Sequence, residues 1–170
     1  MSLIDPIRLP DEGAVTIDGV AEGYEAFMLA AIAATQGDKP VVFIVRDGQR
    51  LPAIAETLAF AAPGLPVLEL PAWDCLPYDR VSPGSDAAAR RLDAMAAMAT
   101  LKDKPHRAII LASANAVLQR MTPAQTVLSQ TFTARPGNQI DMKDLAGRLD
   151  IAGFERVPTV RDVGEYAVRG

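Results

Sequence analysis

Short apolar runs typical of buried strands recur along the first two-thirds of the chain. The clearest, PVVFIV at 40–45, has β-branched residues and no polar alternation, which predicts a strand buried on both faces. PVLEL at 66–70 and RAIILA at 107–112 are predicted strands of the same kind. A fourth run, AVTI at 14–17, is a possible strand in front of the first helical pattern.

Longer segments with helical spacing separate these runs, and they predict helices over 22–36, 50–61 and 85–102. In the third helix we expect Ser85 to cap the first turn. Its apolar face is expected to contain four residues at spacings of four, three and four: Ala88, Leu92, Met95 and Ala99. Strands that alternate with helices in this way predict an α/β fold with a mainly parallel sheet that is covered on both faces.

The pattern changes near residue 122. QTFTARPGN at 130–138 predicts a strand of alternating polarity followed by a turn, and a helix is predicted over 141–152, ending at Gly153. FERVPTV and EYAVRG, at 154–160 and 165–170, predict shorter, half-polar strands. We therefore predict two domains, 1–122 and 123–170, of which the second is a smaller, truncated α+β unit.

Composition and charge narrow the class of protein. Of the 170 residues, 49% are apolar and 22% are charged, and the formal net charge is −4. Residues 1–60 contain nine acidic and four basic side chains, whereas a protein that binds a nucleic-acid backbone usually has a clustered excess of Lys and Arg. No apolar run approaches the roughly 20 residues that span a bilayer, and no basic leader precedes an apolar segment. These features predict a cytoplasmic protein without membrane contact and disfavour DNA binding.

The chain has few residues for metal or nucleophilic chemistry. Cys75 is the only cysteine and His106 the only histidine, so the sequence predicts neither a disulfide nor a metal site. Near Trp73 and Tyr78, prolines and aromatic rings share one loop. These rings could stack on bases, but the neighbouring Asp74 and Asp79 would repel phosphates, so we favour packing of the rings against the sheet edge. We predict no catalytic residue.

A glycine turn opens the first helix in GVAEGYEAFMLA, residues 19–30. This stretch resembles the nucleotide loop of the excision-repair protein UvrB, GVTGSGKTFTMA. The ungapped match retains Gly19, does not place Gly23 on a glycine, and puts Tyr24 at the last glycine, Glu25 at the lysine and Ala26 at the threonine. Tyr24 adds bulk, Glu25 repels phosphate and Ala26 has no oxygen for magnesium. An unrelated helix start with an acidic first turn would also leave no site. Neither interpretation predicts a bound cofactor.

A second landmark is the tract LPAWDCLPYDRVSPGSDAAARRL at 70–92. It resembles the W-x-x-L-P-Y-D-x-x-S-P tract in the N-terminal, UvrB-homologous region of the transcription-repair coupling factor (Mfd) family. The matching residues are Trp73, Leu76, Pro77, Tyr78, Asp79, Ser82 and Pro83, followed by Arg91 and Leu92. GEYAVRG at 164–170 resembles both this family and the FRVRG element of UvrB. The resemblance extends from the glycine turn to Gly170.

The resemblance implies a RecA-like, P-loop NTPase-type domain with a degenerate nucleotide loop, joined to an incomplete UvrA-binding domain. The implied function is non-catalytic recruitment of UvrA to RNA polymerase stalled at DNA damage. In the parent protein, motor domains elsewhere would use ATP and magnesium to translocate on DNA, and other domains would contact DNA and RNA polymerase. The parent's own C-terminal domain is implied to mask the UvrA-binding surface.

The same resemblance indicates the partner-binding residues. Arg169 stands at the arginine of the shared C-terminal motif, and a guanidinium can pair with a carboxylate through two hydrogen bonds. Arg161 and Arg156 are further candidates, and Glu165 and Tyr166 would frame the surface. The alternative for the arginines is a solvated strand face. A nucleotide-dependent enzyme domain and a DNA-binding module remain as alternative functions.

Overall fold

The computed structural model describes residues 5–76, 78, 80–104 and 106–169. In these residues the helices, in chain order, are α1 (Glu25–Ala33), α2 (Leu51–Ala61), α3 (Ser85–Asp103), α4 (Ala114–Leu118), α5 (Ala124–Gln130) and α6 (Met142–Ile151). The strands are β1 (Val41–Val45), β2 (Val67–Leu70), β3 (Ile109–Ser113), β4 (Glu155–Arg156) and β5 (Glu165–Tyr166). Within the same residues, no helix is both long and apolar enough to cross a bilayer.

The larger sheet has three strands in the order β1-β3-β2, and both pairings are parallel. Ile109 of the central strand lies opposite Val41 on one side and Val67 on the other. Every residue of β3 is buried, as its continuous apolar sequence predicts for a strand between two others. The α/β fold with a mainly parallel sheet is therefore confirmed, and the RecA-like subclass stays a prediction.

Helices cover most of one face of this sheet and a smaller part of the other. Helices α1 and α2 form one core with the strands; its buried residues are Ala26, Leu29, Ala33, Leu51, Ile54, Leu58, Ile109 and Leu111. On the opposite face, α3 packs over β2 and β3. Val42 and Ile44 of β1 lie on this second face and are exposed. The prediction that both faces are covered is therefore wrong at β1, because α3 does not reach beyond the central strand.

Residues 14–17 do not form the predicted strand. The segment runs in coil, and its two large apolar side chains, Val15 and Ile17, are exposed. An isolated apolar run does not become a strand unless a neighbouring strand pairs with its backbone, and no strand of the described sheet pairs with this segment.

The buried face of α3 differs from the predicted face in its first half, where Arg91 is buried in place of Leu92. Met95 and Ala99 are buried as expected, but Leu92 is 52% exposed and its neighbour Arg91 is 0% exposed. The expected cap is also wrong, since Ser85 is the first helical residue and Gly84 precedes it at the N-cap position. The Gly84 N–H instead donates to both carboxylate oxygens of Asp74, at 3.1 Å each.

Arg91 is buried because its guanidinium connects three segments. It donates to the carbonyl oxygen of Pro71, just after β2, and to that of Ala116 in α4, the latter at 3.2 Å. Its guanidinium carbon lies 5.1 Å from the ring centroid of Trp73. No carboxylate among the described residues pairs with it, its Nε has no hydrogen-bond partner, and burial lowers its pKa. Arg91 thus supplies hydrogen bonds to the carbonyl groups of Pro71 and Ala116, which need a donor away from solvent.

The C-terminal segment also differs from its prediction. Residues 124–130 form α5, whose Val127 joins the core beneath α3, and residues 131–135 are coil rather than strand. Only Phe132 in that stretch is large and apolar, which gives a strand little to bury. The predicted turn is present, with the Asn138 N–H donating to Arg135 O at 3.0 Å. The domain boundary at 122/123 remains a prediction.

Helix α6 confirms the predicted helix over 141–152. Asp141 caps it by accepting from the backbone N–H groups of Lys143 and Asp144, and Gly153 follows it with φ of +84°. Strands β4 and β5 pair in parallel, with Glu155 opposite Glu165 and Arg156 opposite Tyr166. The two C-terminal strands are therefore confirmed as short elements.

We predict that Arg91→Ala destabilises the protein by about 2–4 kcal/mol, because a buried and a partly buried carbonyl group lose their donor and a cavity forms beside Trp73. Arg90→Ala is the matched control, since Arg90 lies next to it on α3 with an exposed side chain. We expect the control to change the stability by less than about 0.5 kcal/mol. Urea unfolding measures both values, and equal effects would contradict the structural role of Arg91.

Candidate functional site

The glycine turn in front of α1 is built as its sequence suggests. Gly19 and Gly23 have φ values of +71° and +87°, in the region where L-residues are strained. The Tyr24 N–H donates to Ala21 O at 3.0 Å, which closes the turn. The Tyr24 ring is exposed and stacks on Phe27, with centroids 5.9 Å apart.

The carboxylate of Glu25 occupies the N-terminal end of α1. Its Oε2 accepts from the Gly23 N–H at 2.7 Å, and its Oε1 accepts from Arg50 Nη2 at 2.6 Å. Arg50 ends the single 3-10 turn Gly48–Arg50 that leads into α2, so this pair joins the glycine turn to the second helix. A negative side chain therefore already uses the Gly23 N–H at the helix end where an anion would bind.

These contacts set the protonation of the pair. Partial burial raises the pKa of Glu25, but hydrogen bonds from its own backbone, from Arg50 and from Gly23 outweigh that effect and lower it. The hydrogen bond to Glu25 raises the pKa of Arg50. Both side chains are therefore charged at neutral pH.

Ala26 lies in the core with Leu29 and Ala33, at the position that the sequence comparison aligned with a magnesium-binding threonine. The first turn of α1 thus offers a carboxylate and a buried methyl group where a phosphate loop offers a lysine and a hydroxyl. Within the described part of the chain, no group of three or more His, Cys, Asp or Glu side chains is arranged to hold a metal ion.

The three predicted partner-binding arginines are all exposed at the C-terminal strand pair. Arg156 is in β4, Arg161 is in the connection to β5, and Arg169 follows β5 by three residues. In the described residues no carboxylate pairs with any of these guanidinium groups. Gly170, which completes the motif, lies outside the described residues.

Glu165 and Tyr166, the two residues expected to frame this surface, make contacts within the domain. The Glu165 carboxylate accepts from the backbone N–H groups of Arg161 and Asp162, at 2.7 and 3.1 Å, and these bonds lower its pKa. The buried Tyr166 donates its hydroxyl to Asp150 Oδ1 at 2.6 Å, which raises the pKa of Tyr166. They fix β5 to its preceding turn and to α6. No local pattern indicates the role of Asp150, because sixteen residues separate it from Tyr166.

The aromatic loop after β2 matches its prediction only in part. Trp73 is half-buried, lies against Arg91, and donates its backbone N–H to Gln119 Oε1 at 2.8 Å. Tyr78 is 96% exposed, so the predicted packing of the rings is wrong for Tyr78. Pro77 and Asp79 of the sequence motif, like Pro105, lie outside the described residues. Cys75 is a half-buried thiol, and His106 is exposed, with Nδ1 3.0 Å from Lys104 O.

We predict that Glu25→Gln lowers the stability by about 1 kcal/mol at about pH 7, since the charged hydrogen bond to the half-exposed Arg50 is lost. Because folding lowers the pKa of Glu25, its stabilisation is present above the unfolded-state pKa and disappears as the pH falls through the folded-state value. The difference between the two proteins should therefore shrink on acidification. Urea unfolding from about pH 7 to about pH 3 measures it. Glu22→Gln, at an exposed carboxylate 3.7 Å from Arg50, is the control; a constant difference would contradict the assignment.

No protein-family model matches the chain. The chain is 28% identical over 152 residues to a transcription-repair coupling factor of Escherichia coli, which covers 89% of this chain and 13% of that protein. It is 30% identical over 154 residues to that of Mycobacterium bovis, covering 89% and 12%. With that of Myxococcus xanthus the identity is 33% over 137 residues, covering 77% and 11%.

The chain thus spans about an eighth of the length of these curated relatives. The aligned part contains most of this chain, in agreement with the landmarks in its sequence. The predicted relationship is confirmed: this chain is homologous to a segment of the transcription-repair coupling factors, consistent with their N-terminal region.

Proposed function

We propose that this chain is a non-catalytic, UvrB-like module that recruits UvrA, acting as part of a transcription-repair coupling factor. The observation that carries the proposal is the exposed Arg169, three residues after a strand that internal hydrogen bonds hold in place. The homology to transcription-repair coupling factors supports the general role, and the C-terminal motif supports the choice of residue.

The geometry suits Arg169 to a protein contact. Tyr166 and Glu165 anchor β5 through Asp150 and through the turn at 161–162, and the arginine lies three residues beyond this anchored strand. No internal carboxylate in the described part of the chain competes for its guanidinium. A carboxylate of UvrA could therefore pair with it through two hydrogen bonds, and Arg156 and Arg161 would add positive charge to the same surface.

The remaining parts of the proposal concern the parent protein. The three-stranded parallel sheet with helices on both sides belongs to a RecA-like domain whose nucleotide loop is degenerate. Domains outside this chain would contact DNA and RNA polymerase and would use ATP and magnesium, and the parent's C-terminal domain would mask the UvrA-binding surface until the motor engages. The location would be cytoplasmic.

We expect UvrA to bind this chain with micromolar or tighter affinity, and Arg169→Ala to weaken the binding at least tenfold, about 1.4 kcal/mol, because one charged contact is lost. Calorimetric titration of purified UvrA measures both affinities. Arg135→Ala is the matched control, since Arg135 is an exposed arginine in the same C-terminal segment but outside the motif.

Equal binding by all three proteins would retain the function and exclude Arg169 as its contact. Absence of binding by the unmodified chain would contradict the proposal for this segment. A longer segment of the parent would then show whether the binding surface needs residues beyond position 170.

A nucleotide-dependent enzyme is the main alternative, and the Glu25 carboxylate argues against it. A phosphate at this helix end would have to compete with the Glu25 carboxylate for the Gly23 N–H and for Arg50. At about 4 Å and an effective dielectric constant of about 20, two like unit charges repel by roughly 4 kcal/mol, and the Arg50 charge offsets part of that repulsion. We expect Mg-ATP to leave the melting temperature unchanged. A concentration-dependent rise in the melting temperature would establish nucleotide binding and overturn this part of the proposal.

A DNA-binding module is the other alternative. The acidic excess in residues 1–60 opposes it, and the 135–170 segment has six acidic and six basic side chains. Gel-shift titrations at two salt concentrations, with damaged and undamaged duplexes, would reveal salt-dependent binding if this chain contacted DNA by itself.

A further inference from the structure

The loop after β2 and the end of α4 line a cavity of about 540 Å³ that is open to solvent. We call the surface around it the loop–α4 surface, and its main residues are Trp73, Leu76, Tyr78, Pro83, Leu118 and Arg120. It lies on the first domain, whereas Arg169 belongs to the C-terminal strand pair. The proposed UvrA contact therefore does not use it.

The apolar side chains of this surface are far more exposed than a folded chain requires. Tyr78 is 96% exposed and Leu118 is 83% exposed, and Leu76 and Val81 are also mostly exposed. Single exposed apolar residues are common, but a group of them around a concave site is typical of a surface that binds another molecule.

The base of this surface is held rigidly. Arg91 bonds to Pro71 O and Ala116 O and stacks on Trp73, and Gln119 accepts from the Trp73 N–H. At the other end of the loop, Asp74 accepts from the Gly84 N–H. These bonds fix the cavity wall beside the sheet before any partner binds, which lowers the entropy lost on binding.

The charges around the cavity select the partner. Arg120 is the charged side chain that lines it in the described part of the chain, and Arg80 is exposed two residues after Tyr78. No carboxylate among the described residues pairs with either guanidinium, and the nearby Asp74, which accepts from the Gly84 N–H, is not among the residues that line the cavity. The surface thus combines an apolar concavity with unpaired positive charge.

We propose that the loop–α4 surface binds an acidic peptide segment of a partner protein, in which an aliphatic or aromatic side chain enters the cavity and a neighbouring carboxylate pairs with Arg120. Leu118 and Leu76 give the cavity aliphatic walls, which suit an apolar side chain better than a flat base. The ion pair with Arg120 orients the bound peptide, and the apolar side chain in the cavity contributes most of the affinity.

A random library of peptides about 12 residues long, displayed on phage and selected against the full chain, provides the probe. We expect the recovered peptides to share an apolar residue next to Asp or Glu. Fluorescence anisotropy of these peptides should show about tenfold weaker binding to Leu118→Asp and to Arg120→Glu, and weaker binding at high salt.

Phe60→Asp is the matched control, because Phe60 is a 73% exposed apolar residue on α2. It should bind the peptides as the unmodified chain does. Since Leu118 and Arg120 are exposed, circular dichroism should show all variants folded. The proposal is overturned if the library yields no binder, if binding is equal for all variants, if the peptides lack acidic residues, or if a single-stranded oligonucleotide displaces them.

Discussion

The buried guanidinium of Arg91 is the interaction on which the arrangement around the three-stranded sheet depends. It joins the end of β2, the helix after β3 and the aromatic loop, and the hydrogen bond from the Trp73 N–H to Gln119 adds a second link between the loop and that helix. A cation without a carboxylate partner is unfavourable in the interior, so its retention requires the carbonyl groups and the indole ring that surround it. The same contact determines which face of α3 packs on the core, because burying Arg91 turns Leu92 outward.

Much of the sheet could be predicted from the sequence, and the reason is visible in β1 and β3. Their apolar runs are continuous, short and rich in β-branched residues, which together favour a buried strand over a buried helix. The strand predicted for AVTI at 14–17 was wrong, because a strand needs a neighbouring strand to pair with and the local pattern does not reveal one. The predicted buried face of α3 was wrong at Arg91 for two reasons. Because α3 is rich in alanine, its pattern distinguished neighbouring faces only weakly. An arginine is also ordinarily expected to be exposed to solvent.

The two candidate sites differ in what local sequence could reveal. The prediction that the glycine turn binds no phosphate rests on the residue types at 24–26, but the Glu25–Arg50 pair joins positions twenty-five residues apart that no local motif connects. At the C-terminal strands, the arginines were assigned by resemblance to a motif. The hydrogen bond that fixes β5 involves Asp150, which the motif does not contain.

The position of β3 at the centre of the sheet also determines when the sheet can form. β1 and β2 do not pair with each other, and each finds its backbone partner only at residues 109–113. A ribosome must therefore release the chain beyond β3 before either earlier strand has a ladder to join. Until then α1 and α2 can only associate with unpaired apolar segments, so this sheet should assemble late and cooperatively rather than strand by strand.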